Sequence, residues 1–202
     1  MELDKLYTIK AGRNKATPAW PSVPLTHNGW WWKNLLKVEF NLSKGWLRKW
    51  SEPKANNDIQ KVIGFSLDPF RQSIIRLGVN NGGNGKYNDG KHLMLWSYTN
   101  LKGKYTGHDG NNRIGQVLPE VWNTIYFKLD ETNRPMWGLH NLQSMKYYGE
   151  YEIKKGGCIF GTCGQNMFPY YEAGLVGFGP DEDITADIKI TILDQHGNPI
   201  QV

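Results

Sequence analysis

"TADIKITILD", residues 185–194, decides the fold class of this 202-residue chain. Ala186, Ile188, Ile190 and Ile192 share one parity, and Thr185, Asp187, Lys189 and Thr191 share the other. Side chains alternate between faces along a strand, so the segment reads as a half-buried β-strand with an aliphatic inner face. "LLKVEFNL", 35–42, does the same, with Leu36, Val38, Phe40 and Leu42 set against Lys37, Glu39 and Asn41. Further strand candidates are "LYTIKAG", "IQKVIGFSL", "SIIRLGV", "HLMLWSYT", "NTIYFKLD" and "YYGEYEIK". Between them lie "SEPKANND", "NNGGNGKYNDG", "KGKYTGHDGNN" and "DETNRP", whose Gly, Asn, Asp and Pro suit turns.

Short strands with frequent turns, no helical periodicity and no repeat predict an all-β chain. We read a two-sheet antiparallel β-sandwich or jelly roll, forming a single domain over 1–202. Residues 11–33, "AGRNKATPAWPSVPLTHNGWWWK", hold three prolines and no clean alternation, and read as a Pro- and Trp-rich N-terminal arm. Trp30, Trp31 and Trp32 cannot all enter one core from an extended segment. With Trp20 they are assigned to an interface with another surface.

No apolar run approaches the roughly 18 residues of a membrane span. "MELDKLYTIKAG" shows no signal peptide, which leaves a virion, the cytoplasm, or secretion with a removed leader. Residues 1–104 carry 17 Lys+Arg against 7 Asp+Glu, and the remainder 7 against 12. A sandwich interleaves its halves, so this split need not form a patch. "GWLRKW", with Trp46, Arg48, Lys49 and Trp50, is a local nucleic-acid-like stretch without a recognised motif, and nucleic acid ranks third among partners. Cys158 and Cys163 read as loop thiols or a local disulfide. Asp181, Glu182, Asp183 and Asp187 offer hard oxygen ligands for calcium, but a turn before the last strand accounts for them better. No metal and no cofactor are called for.

"NDIQKVIGFSLDPFRQSIIRLGVNN", 57–81, and "GFGPDEDITADIKITI", 177–192, resemble a family of small bacterial and bacteriophage-associated jelly-roll domains, concanavalin-like β-sandwiches of unassigned function. The resemblance rests on Thr8, Ile9 and Gly12, on Lys61 to Ser66, on Ser73, Arg76 and Gly78, and on Phe178, Gly179, Asp187, Ile188, Ile190 and Ile192. It implies the sandwich fold and assigns no activity.

Jelly rolls suit sugars: aromatic faces stack on pyranose rings while polar groups take hydroxyls. In "KHLMLWSYTN", His92, Met94, Trp96 and Tyr98 share the parity opposite Leu93 and Leu95. Arg76 likewise opposes Ile75 and Leu77, and its guanidinium suits a carboxylate or sulfate. Arg76, His92, Trp96 and Tyr98 are therefore the candidate ligand-binding residues. The competing account packs Trp96 and Tyr98 under a loop.

No catalytic residues are assigned, and the reading leans away from an enzyme. Tyr126, Phe127 and Lys128 resemble the Tyr-Phe-Lys strand of jelly-roll alginate lyases, but the Arg-rich and Gln-x-His strands are missing in order. Glu150 and Glu152 have a spacing that a glycosidase would tolerate, as do many exposed strands. The expectation is a non-catalytic binding or assembly module. It would recognise a glycan, or act as a structural component of a larger particle such as a phage virion. Its partners are a glycan or other protein subunits, including copies of itself, and a glycan-cleaving enzyme is the alternative.

Overall fold

The computed structural model describes residues 2–14, 16–17, 35–47, 51, 58–66, 73–81, 89–101, 104–105, 110–130, 134–148 and 179–200. The chain is all-β. Its strands are β1 (Glu2–Ile9), β2 (Ala16–Thr17), β3 (Leu35–Leu42), β4 (Gln60–Ser66), β5 (Ser73–Asn80) and β6 (Leu93–Leu101). They continue with β7 (Lys104–Tyr105), β8 (Arg113–Val117), β9 (Asn123–Leu129), β10 (Pro135–Leu139), β11 (Lys146–Tyr147) and β12 (Ile184–Leu193). Helical structure among the described residues is limited to short 3-10 turns.

The described residues form two antiparallel sheets. One has seven strands in the order β11-β10-β9-β3-β12-β1-β2; the other runs β4-β5-β6-β7, with β8 also paired to β6. The decisive strand β12 lies between β1 and β3, so hydrophobic alternation and hydrogen-bonding register agree along its length. Ala186, Ile188, Ile190 and Ile192 are all 1% exposed or less, as are Leu36, Val38, Phe40 and Leu42. Ile75, Leu77, Val79, Leu93 and Leu95 of the second sheet join them in one continuous core.

Polar contacts cross this core where an apolar side chain carries a donor. The Trp137 indole packs against Phe127, ring centroids 4.5 Å apart, and its Nε1 donates to Ser97 Oγ at 2.9 Å. Tyr148 Oη donates to the Ile114 carbonyl, and burial pushes its phenol up. Trp46, read within a nucleic-acid-like stretch, is instead 1% exposed and donates through Nε1 to the Thr185 carbonyl at 2.8 Å. An indole so placed closes the core and has no face to stack on a base.

Three further strands escaped the alternation, and one of them, β7, falls in the stretch 102–112 read as a turn, where Lys104–Tyr105 instead pairs with β6. β8 is disrupted by a register shift opposite Leu95/Trp96, and β10 starts at Pro135 and contains Gly138. The arm over 11–33 also needs correction at its start. Ala16–Thr17 pairs with β1, and Ala16 is 1% exposed, so the chain adds an edge strand before any arm begins. Trp20, Trp30, Trp31 and Trp32 lie outside the described residues, as do Glu150, Glu152, Cys158 and Cys163.

Candidate functional site

Core burial of Ile75, Leu77, Leu93 and Leu95 turns the alternate residues of β5 and β6 to the outer face of the five-stranded sheet. Pairing then sorts that face into rows. One row is Gly64, Arg76 and Tyr98; the next is Lys61, Gly78, Trp96 and Arg113; the third is Asn80, Met94 and Gln116. Three cations and no carboxylate occupy these rows.

Arg76 and Tyr98 are direct cross-strand neighbours, and both are half-buried. Gly64 makes room for the arginine: a Cβ there would sit 2.9 Å from Arg76 Cγ and 3.5 Å from its Nε. The guanidinium stem therefore crosses β4 where that strand has no side chain. On the other side, the Lys61 ammonium lies 4.6 Å from the Tyr98 ring centroid, within cation–π range. Lys61 itself is 3% exposed. Arg113, at the β8 end of the second row, is exposed.

Trp96 shares this face but not this exposure. It is 3% exposed and forms a small cluster with Ile59 and Met94, with Tyr98 packed against it. Its Nε1 donates to Asn80 Oδ1 at 3.0 Å. Gly78, its cross-strand partner, leaves a lane that Ile59 fills, since a Cβ at Gly78 would collide with Ile59 Cγ2. The indole supports the face from beneath and offers no open ring to a sugar.

His92 shares the parity of Trp96 and Tyr98 but stands apart from the site. Six residues of strand place it roughly 20 Å from Tyr98. Its Nδ1 pairs with Asp89 Oδ2 at 2.5 Å, while Asp89 Oδ1 accepts from the backbone N–H groups of Lys91 and His92. The hydrogen bond from His92, followed by those two backbone donors, holds the Asp89 carboxyl well below the usual carboxylate range.

Lys61, Arg113 and Asn80 were missed from the sequence. A bulge between Lys61 and Ile63 turns both Val62 and Ile63 into the core, which hides the parity linking Lys61 to Arg76. The irregularity opposite Trp96 hides Arg113 in the same way.

The other sequence candidates disperse. Phe127 is core, whereas Tyr126 and Lys128 take the outer parity of the seven-stranded sheet, on the far side of the sandwich from Arg76. Asp181 accepts from Ser51 N at 2.8 Å and Ser51 Oγ at 2.6 Å. Asp183 instead accepts from Ala11 N at 3.0 Å and Lys10 Nζ at 2.6 Å. Both carboxyls are held below their ordinary value by these bonds, led by the side-chain donors. Each acid thus fastens a different neighbouring segment. Among the described residues, no three His, Cys, Asp or Glu side chains gather as a metal site.

No helix among the described residues is long and apolar enough to cross a membrane. No protein-family model matches the chain, and no curated protein matches it. Among solved structures it is similar to alginate lyase Aly36B, with TM-score 0.48 and 10% identity over 98% of this chain and 82% of that one. A mutant of Aly36B in complex with alginate trisaccharide gives TM-score 0.45 at the same identity and coverage. Likeness at this level carries no inference about activity.

Proposed function

We propose that this chain is a non-catalytic β-sandwich binding module that takes an acidic glycan on the outer face of its five-stranded sheet. The carrying observation is the Arg76–Tyr98–Lys61 group, with Arg113 on the next row. A guanidinium pairs bidentately with carboxylate or sulfate, and an adjacent phenol ring packs on a sugar's C–H face. Trp96, Met94 and Ile59 hold the platform in place from below.

Among the described residues the enzyme alternative lacks convergence, and Glu150 and Glu152 lie outside them. The Asp89–His92 pair is roughly 20 Å from Tyr98, too far for both to act on one glycosidic bond. Tyr126 and Lys128 occupy the other sheet. The version in which the module is built into a phage particle rests on the family resemblance and on Trp20 and Trp30–Trp32, and is an assembly use of the same fold.

Titration calorimetry with oligouronates, sulfated oligosaccharides and neutral oligosaccharides tests the reading. Acidic oligomers should bind and neutral ones should not, with affinity falling as salt rises. Arg76→Ala should weaken binding by roughly 10- to 100-fold, the worth of a charge-assisted hydrogen-bond pair. Equal binding of neutral and acidic oligomers, or an unaffected Arg76→Ala variant, would refute it.

A further inference from the structure

The turn that leads into β6 joins two residue choices, each with its own physical reason. Gly90 adopts φ 69°, and a Cβ there would meet nothing within 4 Å, so backbone conformation rather than packing calls for glycine. Asp89 Oδ1 accepts from the backbone N–H groups of Lys91 at 2.9 Å and His92 at 2.8 Å, the bonding of an Asx turn. The two choices place an Asp-Gly pair in an exposed turn.

That pair carries a chemistry of its own. Glycine has no side chain to shield its amide, so the Gly90 nitrogen can attack Asp89 Cγ and close a five-membered succinimide. The N–Cγ bond forms, a Cγ–O bond breaks, and the amide proton leaves with the carboxyl hydroxyl as water. Water then adds to one of the two imide carbonyls and breaks its bond to nitrogen. Addition at Cγ restores aspartate, and addition at the main-chain carbonyl gives isoaspartate. The first step needs a protonated carboxyl, because an ionised oxygen is a poor leaving group.

His92 opposes that protonation. Its Nδ1 pairs with Asp89 Oδ2 at 2.5 Å, so the second carboxyl oxygen is held as well as the first. Three donors thus favour the carboxylate, the His92 side chain foremost. Both oxygens are also engaged by residues 91 and 92, beyond the nitrogen that would attack.

We infer that Asp89–Gly90 is an isoaspartate-forming site, and that the His92 side chain sets how slowly it reacts in the folded chain. Isomerisation would add one methylene to the main chain just ahead of β6 and withdraw the acceptor from the Lys91 and His92 N–H groups. β6 carries Trp96 and Tyr98, yet the chemistry of the turn is independent of any ligand on that sheet.

Ageing the full chain at neutral pH, followed by tryptic digestion, tests this. Chromatography with mass detection separates the aspartyl and isoaspartyl forms of peptide 87–91. In the folded chain, His92→Leu should speed isoaspartate formation at Asp89 at least about tenfold, the low end of what a charge-assisted hydrogen bond supports. In urea the wild type and the variant should react alike. Asp109–Gly110, the same pair elsewhere in the sequence, should keep one rate in both folded proteins. Wild type alone gives a second measurement: folded, it should react at Asp89 at least about tenfold more slowly than in urea. Equal folded rates with and without His92, equal wild-type rates folded and in urea, or acceleration at Asp109 as well would each overturn the inference.

Discussion

Replacing Trp96 separates a packing role from a sugar-stacking one. The indole is 3% exposed, touches Ile59, Met94 and Tyr98, and donates Nε1–H to Asn80 Oδ1. Trp96→Ala deletes nearly the whole buried ring, and large-to-small changes of this kind cost about 3–5 kcal/mol. At roughly 2–4 °C per kcal/mol for a domain of this size, the melting temperature should fall by roughly 6–20 °C. Trp96→Phe keeps most of the apolar contact but takes away the donor facing Asn80. Its cost should be about 1–3 kcal/mol, the penalty for stripping a buried acceptor of a partner. Chemical denaturation monitored by circular dichroism measures both changes on one scale. The order wild type, then Phe, then Ala should hold whether or not ligand is present. If Trp96→Ala abolished glycan binding while shifting the melting temperature by less than about 2 °C, the burial argument would fail and the ring would be a platform.

Further tests bear on the rest of the fold and site. Ile190→Ala should cost roughly 2–5 kcal/mol, whereas Thr191→Ala on the opposite face should stay within about 0.5 kcal/mol; similar values would undo the register of β12. The two glycines of the outer face should behave differently: Gly64→Ala should push Arg76 aside and lower glycan affinity with little change in melting temperature. Gly78→Ala should displace Ile59 and lower the melting temperature, and a reversal of the two would contradict the lane geometry. Asp181 and Asp183 have folded-state pKa values below their unfolded ones, so their ties to Ser51 and Ala11 contribute above about pH 3.9 and are lost as pH falls through the depressed values. Amide resonances of Ser51 and Ala11 should therefore stay constant from neutral pH to about 5 and move only under stronger acid; a midpoint at or above the ordinary carboxylate value of about 3.9 would contradict this.

Most of the core was legible because β3, β9 and β12 keep an unbroken period of two, which is what burial of one sheet face requires. β8 and β10 were not, since a bulge adds a residue and a proline or glycine removes the apolar signal. The same limit governs the site. Parity placed Arg76, Trp96 and Tyr98 together on the correct face, because pairing across β5 and β6 carries through without a shift. Parity also joined His92 to them and says nothing of the roughly 20 Å that six strand residues span. It assigned Trp96 to an outer face without revealing what lies on that face. Ile59, which covers it, is 37 positions earlier in the chain and arrives through the β4–β5 pairing. Cover is a tertiary property, and a local period cannot encode it.

The two outer faces differ because their charges are resolved differently. On the seven-stranded sheet Lys37 pairs with Glu39 and Lys189 with Asp4. On the five-stranded sheet, Lys61 is set against an aromatic ring and Arg76 over a glycine, and neither row contains an acid. A ring quadrupole attracts a cation, so Lys61 and Tyr98 steady each other beside Arg76. In the proposed reading, an anionic ligand would meet the Arg76 guanidinium beside the Tyr98 ring. The closed Ile59–Met94–Trp96 cluster beneath keeps that arrangement from relaxing, which is why stability should follow Trp96 while affinity follows Arg76.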